Sequence, residues 1–196
     1  MKKASIIALT LGTILTGCSA ATSESVTPAT VTTATSAPTP APEVKAMSAD
    51  EVNRFKEYAT KLKGGTFITE AEIVNQNEAI ITYADYDSLK KSKPDSTITK
   101  DDFNGYWGSG DAVNKTLMEE PIRLLREFPE LNKVKLTLNH EKAHLIEVDR
   151  ATTEDYFKVN LSEIHADKSN EKWRNEIVNK FFTKDERKKY IEKFVK

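Results

Sequence analysis

A run from Ser19 to Met47, built almost wholly from Ser, Thr, Ala, Val and Pro, confines folding of this chain to the residues beyond Met47. The run has no aromatic residue and little charge, and it carries Pro28, Pro38, Pro40 and Pro42. Such a composition buries too little apolar surface to offset the entropy of ordering the backbone. Residues 18–47 are therefore expected to form a disordered, semi-extended tether. As a coil it would reach about 30 Å, and as a polyproline-like chain up to about 90 Å. Of the 196 residues, 48–196 remain as a single globular domain. Whole-chain composition, 38% apolar and 30% charged, suits that reading.

Ahead of the tether, Lys2 and Lys3 form a positive start, and Ala4 to Ile14 form an apolar stretch too short to span a bilayer as a stable helix. Leu15-Thr16-Gly17-Cys18 comes next. This tetrapeptide resembles the lipobox of bacterial lipoproteins. The resemblance implies a signal peptide over 1–17, cleavage after Gly17, and diacylglycerol with further acylation (palmitate) on Cys18. A thiol is the nucleophile that accepts the diacylglyceryl group. Cys18 is also the only cysteine, so no intramolecular disulfide or cysteine-based zinc site is available. The expected location is a cell membrane, lipid-anchored on the extracytoplasmic side. Ser19, rather than Asp, after the cysteine favours the outer membrane if the host has one. The mature domain broadly resembles small bacterial lipoproteins of unknown function.

Within 48–196 the hydrophobic periodicity alternates between helix and strand. Ser48 and Glu51 form a capping box before a helical stripe of Val52, Phe55, Ala59 and Leu62, and Gly64-Gly65 stops it. Phe67, Thr69, Ala71 and Ile73 alternate as a strand. Asn75-Gln76-Asn77 turns the chain, and Ala79 to Ala84 returns. A polar connection with Pro94 leads to a Gly- and aromatic-rich loop, Phe103 to Gly110. Asp111 then caps a helix through Glu127, with Val113, Leu117, Leu124 and Phe128 inward. Pro121 should kink that helix or mark a restart. Val134, Leu136 and Leu138 alternate as a strand, as do His144, Ile146 and Val148. Helix–strand–strand thus occurs twice, predicting an α+β fold: an antiparallel sheet of about four strands with helices on one face. A C-terminal helical segment completes the chain, marked by Trp173, Ile177 and Phe181, then by the capping pair Thr183 and Glu186 with Tyr190, Ile191, Phe194 and Val195.

Charge is uneven. Residues 48–167 carry sixteen Lys/Arg against twenty-three Asp/Glu, whereas 168–196 carry ten against five. The basic C-terminal helices could be drawn to anionic lipid or wall polymer, although a solvated helix face accounts for the pattern more simply. Glu119-Glu120 and Asp101-Asp102 likewise read as solvated faces.

One pattern points to catalysis. His140-Glu141-Lys142-Ala143-His144 matches H-E-x-x-H, and Glu163 stands where aminopeptidase-type zincins place a third ligand. That resemblance implies zinc on His140, His144 and Glu163, with Glu141 as general base in a metallopeptidase. Against it, Lys142 breaks the uncharged spacing, and the flanking residues alternate at period two. A hairpin turning at His140-Glu141-Lys142 would set Leu138 opposite His144, Leu136 opposite Ile146 and Val134 opposite Val148, gathering every apolar residue on one face. No serine sits in a nucleophile elbow, and Gly108-Ser109-Gly110 to Lys115 lacks the glycine a phosphate loop needs before its lysine.

Phe103, Tyr106 and Trp107 are the candidate ligand-binding residues, able to stack on a sugar or clamp a peptide. These features together predict a non-catalytic, membrane-tethered binding module, with no catalytic residue, metal or cofactor. Its expected partners are the membrane through Cys18 and an envelope protein or wall polymer. No nucleic-acid partner is expected, and the domain is expected to be a monomer.

Overall fold

The structure, a computed structural model, describes residues 45–196. The leader, Cys18 and the tether up to residue 44 lie outside the described residues; Met47, expected at the end of the tether, is instead buried in the core and donates its N–H to the Gln76 carbonyl at 3.0 Å. Helix α1 (Ala49–Ala59) begins as its cap dictates, with the Ser48 hydroxyl accepting the Glu51 N–H at 3.2 Å. The Glu51 carboxylate turns instead to Arg54, 2.9 Å away, so the reciprocal half of the box is not used. Phe55 and Ala59 are buried. Gly64 takes a left-handed φ of 67°, and Gly65–Phe67 makes one 3-10 turn into strand β1 (Ile68–Val74). Strand β2 (Glu78–Tyr83) returns through Asn75 and Gln76, both at positive φ. Helices α2 (Tyr86–Ser92), α3 (Lys100–Gly108) and α4 (Ala112–Glu127) then lead to β3 (Lys133–His140) and β4 (Lys142–Asp149).

The sheet order is β1-β2-β3-β4. Both hairpins are antiparallel as expected, but β2 and β3 run parallel, pairing Ala79 with Val134, Ile81 with Leu136 and Tyr83 with Leu138. The sheet is therefore mixed rather than wholly antiparallel. The reason is the connection: the three-helix crossover from β2 carries the chain back to the end where β2 began, so β3 starts beside its start. Ala79, Ile81, Tyr83, Val134, Leu136, Leu138, Ile146 and Val148 point into the core, and the helices pack on that face. The alternate residues, among them Glu70, Glu72, Thr82, Lys133, Lys135 and Glu147, form the opposite, more polar face. On that face Lys133 reaches Glu78 and Glu147, 3.7 and 3.6 Å away.

The C-terminal segment is helical as expected. It comprises α5 (Arg150–Phe157), α6 (Leu161–Ala166), a π-helical stretch Trp173–Val178 running into α7 (Asn179–Phe181), and α8 (Lys184–Phe194). Trp173 and Ile177, four apart in that stretch, are both buried. The chain then lays Val195 beside Ile146 on the outer edge of β4, with Leu145 and Lys196 exchanging backbone hydrogen bonds at 3.2 and 2.9 Å.

Helix α4 departs from expectation in three respects. It runs unbroken through Pro121, which is buried. Asp111 occupies the cap position at φ 65° but caps no backbone N–H; its carboxylate takes Arg187 at 2.8 Å and Asn114 at 2.6 Å. Glu119 and Glu120, expected in solvent, are 4% and 1% exposed. Helix α8 packs on α4 and brings Arg187 to Glu119 at 3.3 Å. Arg150 completes the frame by donating to the carbonyls of Leu125, Phe128 and Leu131 at the C-terminus of α4 and in the turn after it.

Candidate functional site

The H-E-x-x-H residues lie on a hairpin, in the register the sequence predicts: Leu138 opposite His144, Leu136 opposite Ile146, Val134 opposite Val148. His140 ends β3, Lys142 begins β4, and Glu141 alone makes the turn at φ 58°. The two histidines share a face of the ribbon, but no helix aligns them toward a common ion. Glu163 sits on α6 with its carboxylate 3.2 Å from Lys172. Among the described residues no group of three His, Cys, Asp or Glu side chains converges as a metal site would require. The zincin arrangement of His140, His144, Glu163 and Glu141 is thus not assembled. Burial, and after it the nearby Lys142 and His140 charges, lowers the His144 pKa from its ordinary value, which favours the neutral ring.

The segment expected as an aromatic loop is helix α3. Thr99 and Asp102 cap it reciprocally: the Thr99 hydroxyl accepts the Asp102 N–H at 3.1 Å, and the Asp102 carboxylate accepts the Thr99 N–H at 3.1 Å. The Thr99 hydroxyl, which also donates to that carboxylate at 2.6 Å, and after it the Thr99 N–H hold the Asp102 carboxyl below its ordinary pKa. Thr99-x-x-Asp102 ahead of Phe103 and Trp107, four apart, was a readable helix signal. The glycines at 105 and 108 obscured it, because glycine is a poor helix former.

The helix splits the aromatic trio. Phe103 and Trp107 are 3% exposed, whereas Tyr106 is 36% exposed. Trp107 packs on Phe67 and edge-on to Tyr83, with centroids 5.4 and 5.6 Å apart. Tyr106 lies against Trp107 and Phe67 at 4.9 and 5.0 Å. Phe103 shares the Phe67 contact, 5.2 Å away, and also reaches the hairpin tip, 5.9 Å from His140 and 6.0 Å from Tyr86.

Phe103 thereby joins two sequence candidates in one place. A cleft of about 630 Å³ lies between the start of α2, one side of α3 and the β3–β4 turn. Its rim carries Asp87, Lys100, Asn104, Glu141 and Lys142, all exposed; Tyr86, Asn139 and His140 are half-buried. Asp85 is committed to capping α2: it accepts the Ser88 backbone N–H and hydroxyl at 2.9 and 2.8 Å, which keeps its carboxyl below the usual pKa. Asn139 donates to the Tyr83 carbonyl at 3.2 Å, bracing the hairpin tip against β2. The Tyr86 hydroxyl reaches the Ile98 carbonyl at 3.5 Å, tying α2 to the segment before α3. Local composition did not single out Tyr86, Asn104 or Asn139. They meet because the parallel β2–β3 pair sets the end of β2 beside the end of β3.

Behind α3 the interior is unusually polar. Glu119 has Lys63 and Arg123 at 3.3 and 3.6 Å besides Arg187, and Arg123 approaches Glu120 at 3.5 Å. Burial raises the Glu120 carboxyl above its ordinary pKa, with Arg123 and Lys63 opposing. The Tyr83 hydroxyl, Trp107 indole N–H and Thr116 hydroxyl have no hydrogen-bond partner there. These groups are closed off from solvent, unlike the cleft. No family model, curated protein or solved structure matches the chain.

Proposed function

We propose that the chain is a membrane-anchored extracytoplasmic lipoprotein whose folded domain is a non-catalytic binding module. Lipid on Cys18 would hold it to the membrane, and residues 18–47 would act as the tether. The cleft between α2, α3 and the hairpin tip would take an envelope ligand. The observation that carries the binding role is the convergence of Phe103, His140 and Glu141 on that cleft. Its lining has exposed amide, carboxylate and ammonium groups but no serine, threonine or cysteine nucleophile. The anchoring half rests on Leu15-Thr16-Gly17-Cys18 behind a charged, apolar leader. None of the described helices is long and apolar enough to cross a membrane, so a lipid would be the attachment that this part of the chain does not itself provide.

The test is to express the full chain and its Cys18→Ser variant in a bacterium fed an alkyne-bearing palmitate analogue. The parent is expected to incorporate label, lose residues 1–17 and fractionate with membranes. The variant is expected to do none of these. Label on the Cys18→Ser protein, or none on the parent, refutes the anchor. In-cell photo-crosslinking from residue 104 tests the cleft: an adduct with an envelope component supports binding there, and no adduct refutes it.

A further inference from the structure

The cleft has three properties that narrow its ligand, on the premise that the domain is a binding module. First, three rings meet at its floor. Tyr86 and His140 pack on the buried Phe103 at centroid distances of 6.0 and 5.9 Å, their planes tilted 62° and 58° from it, and both outer rings are half-buried. Aromatic faces of this kind attract the C–H faces of sugar rings as well as other apolar surfaces.

Second, its exposed charges are of mixed sign. Asp85, Asp87 and Glu141 stand against Lys100 and Lys142, and none of these takes part in an ion pair among the described residues. A polyanion would meet three carboxylates and a polycation two ammonium groups. Neither gains the one-signed field that steers charged polymers into a site. A neutral, hydroxyl-rich ligand meets no such penalty, and both signs can hydrogen-bond its hydroxyls.

Third, Asn104 is exposed on the cleft side of α3, and its amide presents a donor and an acceptor side by side. Such a pair matches adjacent hydroxyls or an acetamido group. The volume, about 630 Å³, falls within the range of about 300–1,000 Å³ common for small-ligand pockets.

We propose that this cleft binds a neutral glycan, with sugar rings against the half-buried Tyr86 and His140 rings and with Asn104, Asp87, Lys100, Glu141 and Lys142 on its hydroxyls. The proposal rests on the binding-module reading and adds the ligand class. It is tested with the full-length protein purified in detergent and titrated calorimetrically. The probes are tetrasaccharides of β-1,4-linked N-acetylglucosamine and of β-1,4-linked glucose, with short polyglutamate and polylysine peptides as charged counter-probes.

Saturable binding of at least one tetrasaccharide is expected, nearly independent of salt. Asn104→Ala, a change on an exposed helix face, is expected to weaken it about tenfold, and Tyr86→Ala at least as much. Thermal melts that find Asn104→Ala and Tyr86→Ala folded at the titration temperature separate a lost ligand contact from a folding defect. Binding of neither tetrasaccharide overturns the proposal, as does binding only to a charged peptide with steep salt dependence, or binding that Asn104→Ala leaves unchanged. An envelope protein captured by the crosslinker at residue 104, with no sugar binding, removes the glycan and leaves the binding module. Neither sugar nor adduct removes both.

Discussion

In an Arg187→Met variant the hub of the buried charge network disappears while most of the side-chain volume remains. Arg187 is 8% exposed at its side chain and binds Asp111 at 2.8 Å, Glu119 at 3.3 Å and the Phe182 carbonyl at 2.9 Å. Removing one partner of a buried ion pair costs about 3–5 kcal/mol, because the remaining charge has lost its compensation. Here the carboxylates are not wholly abandoned. Glu119 keeps Lys63 and Arg123 at 3.3 and 3.6 Å, and Asp111 keeps the Asn114 amide at 2.6 Å. The lower end, about 3 kcal/mol, is therefore expected. With about 2–4 °C of melting temperature per kcal/mol for a domain of this size, that becomes a fall of about 6–12 °C. Circular dichroism melts and urea midpoints measure it. Adding Glu119→Gln to Arg187→Met removes the stranded charge and is expected to recover part of the loss, making the double variant strongly non-additive. A fall below about 1 kcal/mol, the scale of exposed ion pairs, would refute the claim that this network is closed off from water.

Three further outcomes are expected from the same interior and its approaches. The Glu120 carboxyl titrates above the 4.5 of an ordinary glutamate because burial disfavours its charge. The folded state thus keeps a proton that the unfolded chain releases; that stability is complete below about pH 4.5 and is lost as pH rises through the folded pKa. Glu120→Gln should flatten this decline and be more stable than the parent at pH 7, and urea midpoints that keep the parent's slope would refute the assignment. Gly64→Ala forces a side chain onto a φ of 67°, with its Cβ 2.9 Å from the Trp107 ring; a loss above about 2 kcal/mol is expected in thermal melts, since the left-handed backbone alone costs about 1–2. Thr99→Ala removes the hydroxyl that caps α3 and should cost about 1 kcal/mol, seen as faster amide exchange over residues 101–103, whereas unchanged exchange would mean that tertiary packing alone holds the helix start.

Much of the domain was legible wherever structure comes from short-range pattern. The β3–β4 register could be read from apolar alternation alone, because a one-residue slip would turn Leu136 and Ile146 out of the core. The same reasoning separated a hairpin from a zinc-binding helix at residues 140–144. Caps at Ser48 and Thr183 marked their helices correctly. Reading failed at α3, where two glycines outweighed the cap made by Thr99 and Asp102, and at Glu119-Glu120, where adjacent carboxylates suggested a wet surface. The candidate site was half legible. Its aromatic and histidine segments each stood out, but of the aromatic trio only Phe103 lines the cleft.

By itself, then, the sequence determined the α+β class, both hairpins and the helical C-terminus. Each rests on composition or on a periodicity of two to four residues, which a local stretch of chain carries whole. Only the tertiary structure decided that β2 and β3 run parallel, that Phe103 meets His140 across a cleft, and that Glu119 lies buried. Arg187, which faces that carboxylate, is 68 residues further along the chain. A carboxylate in isolation has every reason to seek water. It becomes an interior residue only when the fold brings enough fixed positive charge and hydrogen-bond donors to replace that water, and no local pattern records which distant residues will do so.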